Sequence, residues 1–145
     1  MGDLDAKIWG PHYWFFLHTV TMTYPLKPND GIKKKYYDFI QNLPLFIPNE
    51  SMSKSFQEFL DVYPVSPYLD TRDSFIRWMH FIHNKMNKKL GLQQISMTKF
   101  YEDYHKNYKT RDVKIIEYAK TKKQIVYALL ICCLVASIYV MNRNT

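Results

Sequence analysis

Residues 1–131 contain no cysteine; the only two, Cys132 and Cys133, are adjacent and lie in an apolar run. That absence excludes a disulfide scaffold, a CxxC redox pair and a cysteine-based zinc site from everything ahead of the run. Glycine is also scarce, with four in 145 residues, whereas aromatics are plentiful at 12 Tyr, 9 Phe and 3 Trp. This balance argues against a loop-rich or disordered chain and for one helical domain with a modest core. No segment alternates apolar and polar residues as a half-buried strand would, and no internal repeat is evident. Met1 to Asp5 is acidic and polar and prolines interrupt the residues after it, so no N-terminal signal peptide is expected.

Acidic residues number 13 against 20 Lys and Arg, a net charge of +7. A basic balance suits nucleic acid, an anionic membrane face or an acidic cofactor. No RNA- or DNA-binding motif accompanies it, so nucleic acid is not an expected partner. The lysines are read as solvated helix faces, with a membrane surface as the remaining candidate.

The membrane enters through "IVYALLICCLVASIYVM", Ile125 to Met141, which holds neither charge nor proline. As a helix, such a run spans about 25 Å, close to the roughly 30 Å hydrocarbon core of a bilayer. Tyr127 and Tyr139 fall near its two ends, where interfacial aromatics belong. Lys120, Lys122 and Lys123 precede it and only Arg143 follows. The positive-inside bias then puts residues 1–124 on the cytoplasmic side, the arrangement of a C-terminal tail anchor. A buried core helix would need a larger protein around it.

Before the anchor, helical spacing predicts a bundle. Pro11 is expected in the first turn of a helix that runs to about Tyr24, with Trp14, Leu17, His18 and Thr21 on one face. A second helix begins near Ile32 and ends at Pro44. A third opens after Pro48, with Asn49 or Ser51 as its cap. A fourth, capped by Asp70 or Thr71, carries the stripe Phe75, Met79, Ile82, Met86 and Leu90 and stops at Gly91. Ser96 opens a short fifth. The expected organisation is an all-α bundle over 1–110, a basic linker over 111–124 and a transmembrane anchor over 125–141.

Two motifs carry chemistry. Trp9, Gly10, Trp14, Leu17 and His18, followed by Tyr24-Pro25, read Trp-Gly-x-x-x-Trp-x-x-Leu-His. Trp78, His83, Asn84, Asn87, Leu90 and Gly91 read Trp-x-x-x-x-His-Asn-x-x-Asn-x-x-Leu-Gly. His83 and Asn87 share a helix face, with Asn84 one residue round. Trp78 and Trp14 also suit a core, and His18 a satisfied buried position. His80 and His83 have no third ligand at a matching spacing, so no metal is expected.

Over roughly residues 8–105 these motifs resemble the Erv/ALR-type FAD-linked sulfhydryl oxidases, including the short forms of large DNA viruses. The resemblance implies a four-helix bundle with a short fifth helix and FAD in the bundle mouth. By position, Trp9, Gly10, Trp14, His18, His83, Asn84, Asn87, Lys89 and Leu90 would form the pocket. Asn side chains would meet a flavin edge or ribose, Trp and His rings would stack, and Lys89 would meet a pyrophosphate oxygen. Family members also carry a loop such as Leu-Pro-Cys-x-x-Cys-x-x-His-Phe, onto which "IPNESMSKSF" fits without a gap. Asn49 then replaces the first cysteine, Met52 the flavin-proximal one and Ser55 the histidine. Met52 is a thioether, which packs well but forms neither thiolate nor disulfide. Cys132 and Cys133 lie in the bilayer segment and cannot substitute.

The expectation is a catalytically degenerate family member. It would be a membrane-anchored structural or adaptor protein, docking other proteins such as those of a capsid or virion, with a homodimer as a further option. The competing expectation is a flavoprotein that still binds FAD and works with a partner's cysteines.

Overall fold

The computed structural model describes residues 4–109 and 111–143. Every regular element among them is helical. The chain divides into two compact units, Met1–Tyr101 and Glu102–Thr145.

Helix α1 is Ala6–Met22, capped by Asp5, whose carboxylate accepts from the Lys7 N–H at 2.9 Å. It therefore starts five residues ahead of the expected Pro11. Pro11 sits inside the helix, where it removes only the bond to the carbonyl of the exposed Lys7, which solvent can satisfy. Helix α2, Asp30–Asn42, is capped by Asn29 and runs into a 3-10 turn, Leu43–Phe46, that contains Pro44. Helix α3 is Glu50–Val62, with Asn49 as its cap. A second 3-10 turn, Ser66–Tyr68, leads to helix α4, Arg72–Lys89. Thr71 and Ser74 form a reciprocal capping box at its start. Gly91 at φ 68° turns the chain beyond its end, in a region that only glycine enters freely. Helix α5 is Met97–Lys106.

In the first unit α4 is central and α1 packs along it. Phe75, Trp78, Met79, Ile82 and Met86 of α4 are buried against Leu17 of α1, Ile40 of α2 and Phe56 and Leu60 of α3. Each such side chain contributes about 1.5–3 kcal/mol. Leu90 does not continue the stripe: it is 45% exposed, because α4 ends at Lys89 and the chain turns away. Trp78 is 2% exposed and donates its indole N–H to the Tyr63 carbonyl at 3.0 Å, so this motif tryptophan is a core residue. Tyr24 is fully buried and donates to the Leu69 carbonyl at 2.8 Å, while the Arg72 guanidinium donates to the Tyr24 carbonyl.

In the second unit one helix, α6, runs unbroken from Arg111 to Arg143. Residues 111–124 are thus helical and continuous with the apolar run. Ile115–Arg143 is long and apolar enough to cross a membrane, and its side chains are exposed among the described residues. Cys132 and Cys133 are free and exposed on it.

Candidate functional site

The site grows from the facing sides of α1 and α4. One turn apart on α1, Trp14 and His18 both reach His83. The Trp14 indole lies flat on the His83 ring, with centroids 3.9 Å apart and planes 10° from parallel. His18 Nε2 and His83 Nδ1 are 3.0 Å apart and share one proton. Phe100 of α5 covers His18, with ring centroids 4.4 Å apart.

His18 is 4% exposed, and its remaining nitrogen, Nδ1, is buried with no hydrogen-bond partner among the described residues. Burial pushes its pKa down to about 3, helped by the neighbouring His83 and His80. His83 falls to about 4, again through burial first and His80 second. Both imidazoles are therefore neutral at physiological pH. Each offers one donor and one acceptor rather than a charge.

Trp14 also lines a second, apolar region. A cavity of about 20 Å³ is bounded by side chains that include Trp9, Tyr13, Trp14, Met52, Phe56 and Met86. Trp9 stands edge-on to Tyr13 at 5.0 Å and donates its indole N–H to the Leu4 carbonyl at 3.1 Å. The Tyr13 hydroxyl donates to the Phe46 carbonyl at 2.9 Å, tying α1 to the turn that precedes α3. Gly10 is buried, and a Cβ built there would meet, beyond its own stretch of helix, no heavy atom of the described residues within 4 Å.

Asn49 and Met52 meet through the main chain. The Asn49 side-chain oxygen accepts from the Met52 N–H at 2.9 Å as the cap of α3, and Met52 packs its thioether against the core. Other expected site residues are engaged elsewhere. Asn84 exchanges two hydrogen bonds with the Ile95 peptide, both at 2.9 Å. Asn87 is buried and donates to the Gln93 carbonyl at 3.4 Å. The Lys89 ammonium sits on Glu58 of α3 at 2.9 Å, beside an open polar cleft, and Leu90 is exposed. Sequence reasoning missed His80, Ile95 and Phe100 as parts of this region. The available signal was His80 one turn before Asn84, with Phe100 one turn after the Ser96 cap.

A model of the Erv1/Alr family matches residues 11–105. The chain belongs to the Erv1/Alr family. Within the Erv1/Alr family it is 31% identical over 86 residues to the mitochondrial FAD-linked sulfhydryl oxidase ERV1 of Saccharomyces cerevisiae, covering 59% of this chain and 44% of that one. It is 28% identical over 113 residues to an FAD-linked sulfhydryl oxidase of African swine fever virus, covering 78% of this chain and 90% of that one. The solved FAD-binding domain of yeast Erv1 superposes with a TM-score of 0.62 at 26% identity, covering 76% of this chain and 97% of that one. The chain spans less than half the length of the yeast relative's full sequence.

Proposed function

We propose that this chain is an Erv1/Alr-family scaffold that has given up dithiol oxidation and serves as a membrane-held adaptor for other proteins. The carrying observation is the bond between Asn49 and Met52. At the spacing where the family resemblance places a redox-active cysteine pair, a side-chain cap and a packed thioether now stabilise the start of α3. A thioether cannot yield a thiolate, and no other sulfur capable of disulfide exchange occurs before Cys132.

The side chains of the site have the chemistry to hold a flat heteroaromatic group such as the flavin or adenine of FAD, and the cavity of about 20 Å³ beside Trp14 would have to widen to admit it. Trp14 and His83 present a stacked aromatic platform. The orphaned His18 Nδ1 is a buried polar atom of the kind a ligand atom would satisfy, and the open space beside buried Gly10 allows close approach. Bound FAD would supply a two-electron acceptor. Trp14, His18 and His83 would hold and orient it, and Phe100 would keep water off His18. Asn84 and Lys89 are committed to Ile95 and Glu58, so they fit this role less well.

The exposed apolar surface of α6 supports anchoring, with Lys120, Lys122 and Lys123 on the cytoplasmic side. The adaptor's proposed setting is a virion, at an internal membrane beneath a capsid; its support is that the matched relatives include a protein of African swine fever virus. Exposed Phe16, Leu45 and Phe46 suit protein contacts, a second copy included. Of the tyrosines in "YEDYHKNY", Tyr104 is buried, whereas Tyr108 is exposed.

The test is spectroscopic and respirometric. The full chain, purified in detergent and supplied with FAD, should show bound-flavin absorbance yet consume no oxygen with a reduced dithiol. An N49C/M52C variant should then gain dithiol-dependent uptake. Uptake by the native chain in proportion to bound flavin would overturn the scaffold reading. Retention of the Trp14–His83 platform favours a second reading, a flavoprotein served by a partner's cysteines. That reading predicts oxygen uptake only when a CxxC-bearing protein is added.

A further inference from the structure

The segment between α4 and α5 is strapped onto the last turns of α4. The Leu92 N–H donates to the Asn87 carbonyl at 2.8 Å, and the Asn87 side chain donates to the Gln93 carbonyl at 3.4 Å. The strongest hold falls on the backbone of one residue, Ile95, and so on the two peptide units that flank it. Its carbonyl receives the Asn84 side-chain amide at 2.9 Å and the His80 ring nitrogen Nε2 at 2.9 Å. Its N–H donates to the Asn84 side-chain oxygen at 2.9 Å. Because a carbonyl only accepts, His80 carries its proton on Nε2. Both lone pairs of the Ile95 oxygen are then used, and the 3.4 Å approach of Asn84 Nδ2 to His80 Nε2 is a meeting of two donors rather than a bond.

One residue further on, α5 begins. The Ser96 hydroxyl accepts from the Lys99 N–H at 3.1 Å, and its carbonyl accepts from the Phe100 N–H at 2.9 Å. Phe100 is 4% exposed, with its ring 4.4 Å from His18 and 5.6 Å from His80, centroid to centroid. A helix of 10 residues is too short to persist on propensity alone, since isolated helices below about 12–15 residues are marginal. Its placement must come from tertiary anchors, and the Ile95 clamp is the anchor at its entrance.

We propose that His80 and Asn84 are positioning residues. Through the Ile95 peptide they fix the first turn of α5, so that Phe100 closes over the buried His18–His83 pair. What that pair binds rests on the flavin-site reading above; the clamp does not. Asn84 thus serves the pocket through the backbone of a neighbouring segment rather than by touching a ligand.

Hydrogen exchange on the full chain in detergent tests the clamp. In N84A and H80F the amides of residues 95–101 should exchange about tenfold faster, the effect of losing one or two buried hydrogen bonds, while the central amides of α1 and α4 keep their rates. H80Q restores an N–H donor and should return exchange toward the native rate. N84D, which keeps only the acceptor, should fall between native and N84A. Unchanged exchange at 95–101 in N84A, or equal acceleration through the whole bundle, would overturn the proposal. FAD titration followed by flavin fluorescence gives the second readout, with affinity in N84A about tenfold weaker than native. Equal affinity despite a loosened 95–101 would overturn the link to the pocket. A native chain that takes up no FAD would overturn the flavin reading, leaving the clamp to be judged by exchange alone.

Discussion

A single nitrogen, Nδ1 of His18, carries the sharpest expectation at the scale of residues. In the folded chain this imidazole stays neutral until about pH 3, because burial first and the adjoining imidazoles second oppose its charge. In the unfolded chain it takes up its proton near pH 6.5. The unfolded state therefore binds more protons between those limits. The stability this difference allows is complete above about 6.5 and is lost as pH falls through the window. At pH 5 the loss from His18 alone is about 2 kcal/mol. Chemical denaturation at pH 7.5 and pH 5 should show it, and an H18F variant should show a smaller drop. Trp78→Phe should cost about 2–3 kcal/mol, because it strips the donor from the Tyr63 carbonyl and leaves a void. Asn49→Ala should cost about 1 kcal/mol through the lost cap on α3. Asn49→Asp, which keeps the acceptor, should cost much less in the same denaturation series.

At the scale of elements, the helices were legible where local chemistry decides them. Helices α3 and α4 each offer two cap candidates in sequence, Asn49 or Ser51 and Asp70 or Thr71, of which Asn49 and Thr71 form the caps, and Gly91 ends α4. Gly91→Ala should destabilise by about 1 kcal/mol, read as a lowered melting temperature. A Cβ there meets no neighbour, so the whole penalty is the backbone's positive φ. The start of α1 was misplaced because Pro11 looks like a first-turn residue, whereas the Asp5 cap six residues earlier outweighs one missing hydrogen bond. Within the site, the family resemblance implies that Trp14, His18 and His83 share one pocket, and they do meet. The destination of Asn84 was not legible. Which carbonyl a side-chain amide reaches depends on how the segment after Gly91 folds back, and no periodicity in the sequence encodes that.

At the scale of the molecule, the first unit and α6 differ in what they expose. The first unit buries Tyr24, Phe56, Phe75 and Trp78 in a protein core; α6 shows apolar side chains on every side. A chain cut after Lys109 should pass from the alkali-resistant membrane pellet to the supernatant, while the intact chain stays with the lipid. The unbroken course of α6 from Arg111 to Arg143 has a further result. At about 1.5 Å per residue the helix is some 50 Å long, well beyond the roughly 30 Å of a bilayer's hydrocarbon, so in the proposed anchored state several turns would stand in water as a rigid ruler. Lys120, Lys122 and Lys123 would then keep a set azimuth and height relative to the apolar turns that follow them. One alanine inserted at position 124 would swing that cationic ring by about 100°, whereas an insertion of seven would nearly restore its helical phase.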